Sequence, residues 1–261
     1  MKILVLGERG MLGRAVARYF GNLPDYEVVS IIPRFGEKTF LPAIQNAKPD
    51  FIVNGIGKIP QKKPAEADYT SLNIELPRVL ETLNIPILHP STDCEFKGDI
   101  APGLAYSRTS LRDADDIYGL SKATSSQEIE TSFHNTKIIR TSIIGHEAAT
   151  NLSLLDWFLS QDTNVKGYTN HFWNGITTLQ WAKEAHNIME NWSTSPTLNQ
   201  FGTEVHHSKY DLLTIAKAVY KKDTVIIPFA TEVAVNKCLT SDTKIPELTE
   251  QLAELKVFFG R

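Results

Sequence analysis

Lys2-Ile3-Leu4-Val5-Leu6-Gly7-Glu8-Arg9-Gly10-Met11-Leu12-Gly13 decides the fold class. Residues 2–6 form a short, continuous apolar run, the pattern of a strand buried on both faces. Three glycines follow at G-x-x-G-x-x-G spacing, and residues 14–20 read as a helix. That order gives a tight turn, a backbone that a ligand can approach closely, and a helix N-terminus aimed at a pyrophosphate. A glycine triplet alone is often only a turn. The strand before it and the helix after it make it a candidate dinucleotide site, with Gly7, Arg9, Gly10, Met11, Leu12 and Gly13 against the cofactor.

Strand and helix then alternate. Residues 27–32 read as a second strand, followed by Pro33-Arg34 at the distance where such a fold meets the adenosine ribose. An acid there would favour a free 2′-hydroxyl, whereas Arg34 can pair with a 2′-phosphate. NADPH is therefore the preferred cofactor, with NADH the alternative if Arg34 is only a solvated surface residue. Residues 40–47 look helical. Residues 49–57 form a strand running into a small-residue turn, where Asn54, Gly55 and Ile56 would let the cofactor's second half pass close to the backbone. Residues 64–81 continue as helix and carry Asn73, and residues 85–89 form another strand leading to Pro90-Ser91-Thr92-Asp93. The expectation is an α/β fold, a Rossmann-type doubly wound parallel sheet. Residues 1–145 would be the NAD(P)-binding domain and 146–261 a smaller C-terminal substrate-binding lobe, partly packing back on it. Ligands of such sheets bind at the carboxyl ends of the strands, where Gly7, Gly55, Ser91 and Thr92 would lie.

Chemistry is expected at Asp115-Asp116-Ile117-Tyr118-Gly119-Leu120-Ser121-Lys122. If this stretch starts a helix, Tyr118 and Lys122 project from one face a turn apart. A phenol titrates near 10, and a fixed cation beside it stabilises the charged form and makes tyrosine usable as a general acid or base.

Taken in order, Gly7-x-x-Gly10-x-x-Gly13, Pro49-Asp50 with Asn54, Asn73, Ser91-Thr92-Asp93, Tyr118-x-x-x-Lys122 and Ile139-Arg140-Thr141-Ser142 resemble the extended short-chain dehydrogenase/reductases. Within them the chain is most similar to the dTDP-4-dehydrorhamnose reductase branch, well over residues 1–145 and loosely beyond. The resemblance implies NADPH-dependent reduction of a 4-keto group on a nucleotide-linked deoxysugar, in building a surface polysaccharide. Tyr118 would donate the proton and Lys122 would hold the nicotinamide ribose. Thr92 would orient the substrate oxygen, with Asp93 and Cys94 on the substrate side. Asn73 would be structural or water-organising. The chain also departs from the branch. Cys94-Glu95-Phe96 stands where Tyr-Val-Phe is usual, and Ser125-Ser126 stands where Gly-Glu is common. Related dehydratases carry Glu directly after Thr-Asp, so Cys94 disfavours elimination. Two alternatives stay open: a C4 epimerase with bound NAD, and a non-catalytic NADP- or sugar-nucleotide-binding regulatory subunit.

After residue 145 the alternation weakens. Residues 152–159 suit an apolar helix, and 166–175 concentrate aromatics and amides in a glycine-flanked loop. There Asn170, Trp173 and Asn174 either line the sugar-nucleotide pocket or anchor the loop. Residues 178–192 read as an amphipathic helix, Ser208 as the cap of a helix to about 220, 225–229 as a strand and 246–259 as a helix. Lys62-Lys63 and Lys221-Lys222 read as solvated faces. His206-His207 has no partner at metal-ligand spacing, and no metal is expected. Hydrophobic residues make up 42% of the 261, which suits a substantial core. A net charge of -3 with scattered bases excludes a nucleic-acid footprint, and no apolar run approaches a membrane span. Cys94 and Cys238 read as free thiols of a cytoplasmic protein. The oligomeric state stays open, a homodimer being one option.

Overall fold

β1 (Lys2–Leu6) forms where the apolar run lies, with Ile3, Leu4, Val5 and Leu6 all buried. It opens a computed structural model that describes residues 1–62 and 64–261; Lys63, read with Lys62 as a solvated face, lies outside them. The chain continues through α1 (Met11–Gly21), β2 (Glu27–Val29), α2 (Phe40–Ala47), β3 (Phe51–Asn54), α3 (Glu66–Tyr69), α4 (Leu76–Glu81), β4 (Ile87–Ser91), α5 (Ile117–Ser132) and β5 (Thr136–Arg140). A π-helical segment, Thr70–Glu75, joins α3 to α4, so 66–81 is one rod with a local bulge. β2 stops at Val29, short of the expected 32: Ile32 is 97% exposed and Pro33 has no N–H for a ladder.

The main sheet has six strands in the order Leu198–Gln200, β5, β4, β3, β1, β2. β1 pairs in parallel with both β2 and β3, and β3 pairs in parallel with β4. The chain therefore leaves β1 in one direction for β2 and in the other for β3. This is a Rossmann-like α/β sheet with its reversal of strand order at the carboxyl ends of β1 and β3. Leu4, Leu6, Ile52 and Ile87 on one sheet face pack with Phe40 and Ile44 of α2 and with Leu76 and Leu80 of α4. Each fully buried side chain of this kind contributes about 1.5–3 kcal/mol, so the cluster fixes the register of the strands that carry the glycine turn.

The chain separates into two compact units. The first comprises Met1–Ser91, Asp115–Ile139 and Ala182–Asn199; the second comprises Thr92–Ala114, Arg140–Trp181 and Gln200–Arg261. Within the second, His171–Trp173 lies between His207–Ser208 and Val235–Asn236, and Val165–Tyr168 pairs in parallel with Ile226–Phe229. Its helices are Leu154–Leu159, Lys209–Tyr220 and Leu248–Phe259. Ser208 caps Lys209–Tyr220 in a reciprocal box with Asp211, as the sequence suggested. The Glu95 carboxylate, 0% exposed, receives the guanidinium groups of both Arg140 and Arg112 at 2.7 Å. Among the described residues no helix is long and apolar enough to cross a membrane.

Candidate active site

The glycine turn is set by close backbone approach. Gly7 has φ +72°, and a Cβ there would sit 2.8 Å from the Gly55 carbonyl oxygen; a Cβ on Gly55 would sit 2.7 Å from that of Leu6. A Cβ on Gly13 would overlap the Gly7 carbonyl. Only residues without side chains let the end of β3 press against this turn. The Gly10 amide donates to the Gly7 carbonyl at 2.8 Å, and Gly10 caps α1 without a side-chain hydrogen bond. The first turn of α1 carries no acid, so the amides of Met11, Leu12 and Gly13 present a positive helix end. These residues fit a pyrophosphate. Arg9 and Arg34 are exposed in the same unit. The Asn54 side chain accepts from the Ile56 amide at 3.1 Å, holding the turn after β3.

Tyr118 and Lys122 lie one turn apart on α5, which starts where expected because Asp116 caps it, accepting from the Gly119 amide at 2.9 Å. The Tyr118 ring lies 6.1 Å from the ring of Tyr69. Burial, then the Asp116 charge, raises the Tyr69 phenol, so Tyr69 is a neutral wall. Lys122 is 6% exposed; its Nζ donates to the Pro90 carbonyl at 2.6 Å and lies 3.2 Å from His89 Nε2. His89 Nδ1 lies 3.2 Å from Asn54 Nδ2. Burial and then the Lys122 charge hold His89 well below its ordinary value, so its imidazole is neutral. His89 was missed in the sequence, where the one available signal was a polar residue inside an otherwise apolar strand. Asn73 accepts from the Lys58 amide at 3.0 Å and donates to Ser121 Oγ at 2.9 Å, which favours its structural reading.

The remaining candidates belong to the second unit. Thr92 Oγ1 accepts from the Cys94 amide at 3.2 Å and donates to Asp93 at 2.9 Å, capping a single turn. Asn170 is engaged with Thr231, its Nδ2 donating to that carbonyl at 2.8 Å. The Asn174 amide donates to the Thr203 and Leu239 carbonyls and accepts from the Leu239 amide, so its polar atoms are taken up in closing the loop. Trp173 is buried, with Lys209 Nζ 5.2 Å from its ring centroid. Burial lowers the Lys209 ammonium, offset in part by Asp93. Cys238 is pushed up to about 12 by burial and then by Asp93, so it is an unreactive thiol. Among the described residues no group of three or more His, Cys, Asp or Glu is placed to hold a metal ion.

Solved structures show the same fold. A dTDP-4-dehydrorhamnose reductase from Clostridium acetobutylicum superposes with a TM-score of 0.81 at 17% identity, covering 100% of both chains. The dTDP-4-dehydrorhamnose reductase from Bacillus anthracis in complex with NADP gives 0.82 at 15% identity over 98% of each. A UDP-glucose 4-epimerase from Thermotoga maritima with UDP-glucose gives 0.79 at 14% identity over 100% of this chain and 99% of that one. No curated protein sequence matches the chain. The family described as RmlD substrate binding domain matches residues 1–154, more than half of the 261, and together with the glycine turn and the Tyr118–Lys122 helix this assigns the chain to the RmlD substrate binding domain family.

Proposed function

We propose that the protein is an NAD(P)-dependent oxidoreductase that reduces a keto group on a nucleotide-linked sugar. The observation that carries the reading is the placement of Tyr118 and Lys122 on one face of α5, with Lys122 fixed to the carboxyl end of β4 in the unit that holds the glycine turn. The amides of Met11, Leu12 and Gly13 take the pyrophosphate, Asn54, Gly55 and Ile56 pass the second half of the cofactor, and Arg34 meets a 2′-phosphate. When bound, a reduced nicotinamide supplies hydride to the carbonyl carbon. Tyr118 gives its phenolic proton to the carbonyl oxygen, so that charge does not accumulate there unassisted. Lys122 holds the ribose, and Thr92 orients the keto oxygen, with Asp93, Cys94, Asn170, Trp173 and Asn174 assigned to the substrate side. The B. anthracis relative in complex with NADP supports the cofactor, and the dTDP-4-dehydrorhamnose reductases support a 4-keto-6-deoxysugar. The setting is nucleotide-sugar or surface polysaccharide biosynthesis in the cytoplasm, without a nucleic-acid or membrane partner.

The test is NADPH oxidation at neutral pH with a panel of nucleotide-linked 4-keto-6-deoxysugars and related keto-sugars, run beside Tyr118→Phe. Consumption that falls by roughly 10²–10⁴-fold in the variant supports the reading. Tight NADPH binding with no consumption by any member of the panel counts against it and favours a regulatory subunit.

A further inference from the structure

Among the described residues the Lys209 ammonium makes no hydrogen bond and no ion pair; it lies 5.2 Å from the Trp173 ring centroid. Lys209 is the first residue of the helix Lys209–Tyr220, at its positive end, and the acid of that turn, Asp211, is spent on the Ser208 amide and hydroxyl. Burial disfavours the ammonium, and the carboxylate that offsets this is Asp93. Asp93 is 6% exposed and is not paired with Lys209. Its Oδ1 accepts from Thr92 Oγ1 at 2.9 Å, and among the described residues its Oδ2 has no hydrogen-bond partner. His171 does not bridge the two: its Nε2 lies 2.8 Å from Thr231 Oγ1, and burial and then the Lys209 charge hold its imidazole below its ordinary value. A desolvated carboxylate and ammonium, each short of hydrogen bonds and standing in the other's field, are costly until something joins them. The joining group must donate to the carboxylate and accept from the ammonium, and a hydroxyl does both. Thr92 indicates where on a ligand that hydroxyl sits. Its one proton goes to Asp93 while its oxygen accepts from the Cys94 amide, so it can donate to a keto oxygen only by releasing Asp93. A hydroxyl on the carbon next to the carbonyl can then take its place on the carboxylate.

We propose that Lys209 is a specificity-determining residue: with Asp93 it brackets a sugar hydroxyl on the carbon next to the carbonyl, so that the substrate is an α-hydroxy ketone. In a 4-keto sugar this is a free 3-hydroxyl. The proposal rests on the reductase reading and on Thr92 as the residue at the keto oxygen. Lys209 donates to the hydroxyl oxygen, Asp93 accepts the hydroxyl proton in a hydrogen bond, and the Thr92 proton turns to the keto oxygen. The ligand thereby joins two charges that the free protein holds apart. Lys209, Asp93, Thr92 and Trp173 all belong to the second unit.

The test compares two nucleotide-linked 4-keto-6-deoxysugars that differ only at the 3-position, one hydroxylated and one 3-deoxy, on the whole chain as wild type, Lys209→Met and Lys209→Arg. NADPH oxidation gives kcat/KM, and calorimetry with NADP+ in place of NADPH gives binding without turnover. The wild type should favour the hydroxylated sugar by roughly 10–100-fold in both readouts, the worth of one hydrogen bond to a charged group. In Lys209→Met the preference should shrink to within about threefold, through KM rather than kcat, and Lys209→Arg should regain part of it. Because Lys209 has no ion pair to lose, the Tm of Lys209→Met should match or exceed that of the wild type. An equal loss on both sugars, a preference that survives in Lys209→Met, a fall in its Tm, or failure of the hydroxylated sugar to bind overturns the proposal. Binding that discriminates and collapses in Lys209→Met, without turnover by the wild type, removes the reductase reading and leaves the Lys209 site standing. Turnover without discrimination does the reverse.

Discussion

Replacing Glu95 with Gln removes the negative charge shared by two arginines and keeps the shape. Glu95 and Arg140 are both 0% exposed, with Arg140 Nη2 at 2.7 Å from Oε2; Arg112 reaches the same oxygen at 2.7 Å from a side chain 16% exposed. Charges about 4 Å apart at an effective dielectric near 20 attract by about 4 kcal/mol. Breaking a buried pair by deleting one partner costs about 3–5 kcal/mol, because the other charge stays buried without compensation. Arg140 also lies over the Phe96 ring at 5.3 Å, and Phe96 stacks on Tyr106 at 4.2 Å, so the guanidinium has no way out to water without disturbing that cluster. At roughly 2–4 °C per kcal/mol for a chain of this size, Glu95→Gln should lower the Tm by about 6–20 °C. Thermal and urea unfolding by circular dichroism would measure it. In an Arg140→Met background the same substitution should cost measurably less than in the wild type, since only the Arg112 pair is then lost. A cost below about 1 kcal/mol in the wild type, or an equal cost in both backgrounds, refutes the assignment of a buried charge pair.

Gly7→Ala combines a left-handed backbone with overlap onto the Gly55 carbonyl, and should cost about 2–4 kcal/mol in urea unfolding; Gly21→Ala, which meets nothing within 4 Å, should be neutral to slightly stabilising. Burial pushes Asp156 up, but hydrogen bonds from His146 and the Glu147 amide outweigh it and hold its carboxyl below the ordinary range. A depressed carboxylate contributes stability that is present above its unfolded value, about pH 4, and is lost as pH falls through the folded value. Asp156→Asn should therefore flatten the acid limb of the stability curve below about pH 4, read by denaturation at a series of pH values. Arg34→Ala should weaken NADPH binding by about tenfold, as measured by fluorescence titration, and leave NADH unchanged.

The first unit was legible because its signals are local. A buried strand of apolar residues, glycines at fixed spacing and a tyrosine and lysine one turn apart each act within a few residues, and β1, α1 and α5 form at those places. Boundaries slipped where backbone hydrogen bonding decides: β2 ends at Val29, before Pro33, and β4 begins at Ile87 and runs on to Ser91. The π segment Thr70–Glu75 is only six residues long, too short to show a period of its own in the sequence. The second unit depends on partners far apart in sequence. Asp99 bridges Asn236, Tyr106 bridges Leu239, and Asn174 ties Thr203 to Leu239, none of which residue spacing can announce. For the same reason the sequence does not show the loop hydrogen bonds that Asn170 makes to Thr231 and Asn174 makes to Thr203 and Leu239. His89 escaped notice because its partners, Asn54 and Lys122, reach it from other elements.

The central claim is that this chain moves hydride to a sugar carbonyl with Tyr118 as proton donor. Its most direct test incubates the protein with NADPH deuterated at the transferable position and a nucleotide-linked 4-keto-6-deoxysugar, then analyses the sugar by mass spectrometry and NMR. The account predicts one deuterium on the carbon of a new secondary alcohol, and its loss in Tyr118→Phe while NADPH binding persists. A product with no deuterium, or equal labelling by Tyr118→Phe, would contradict it.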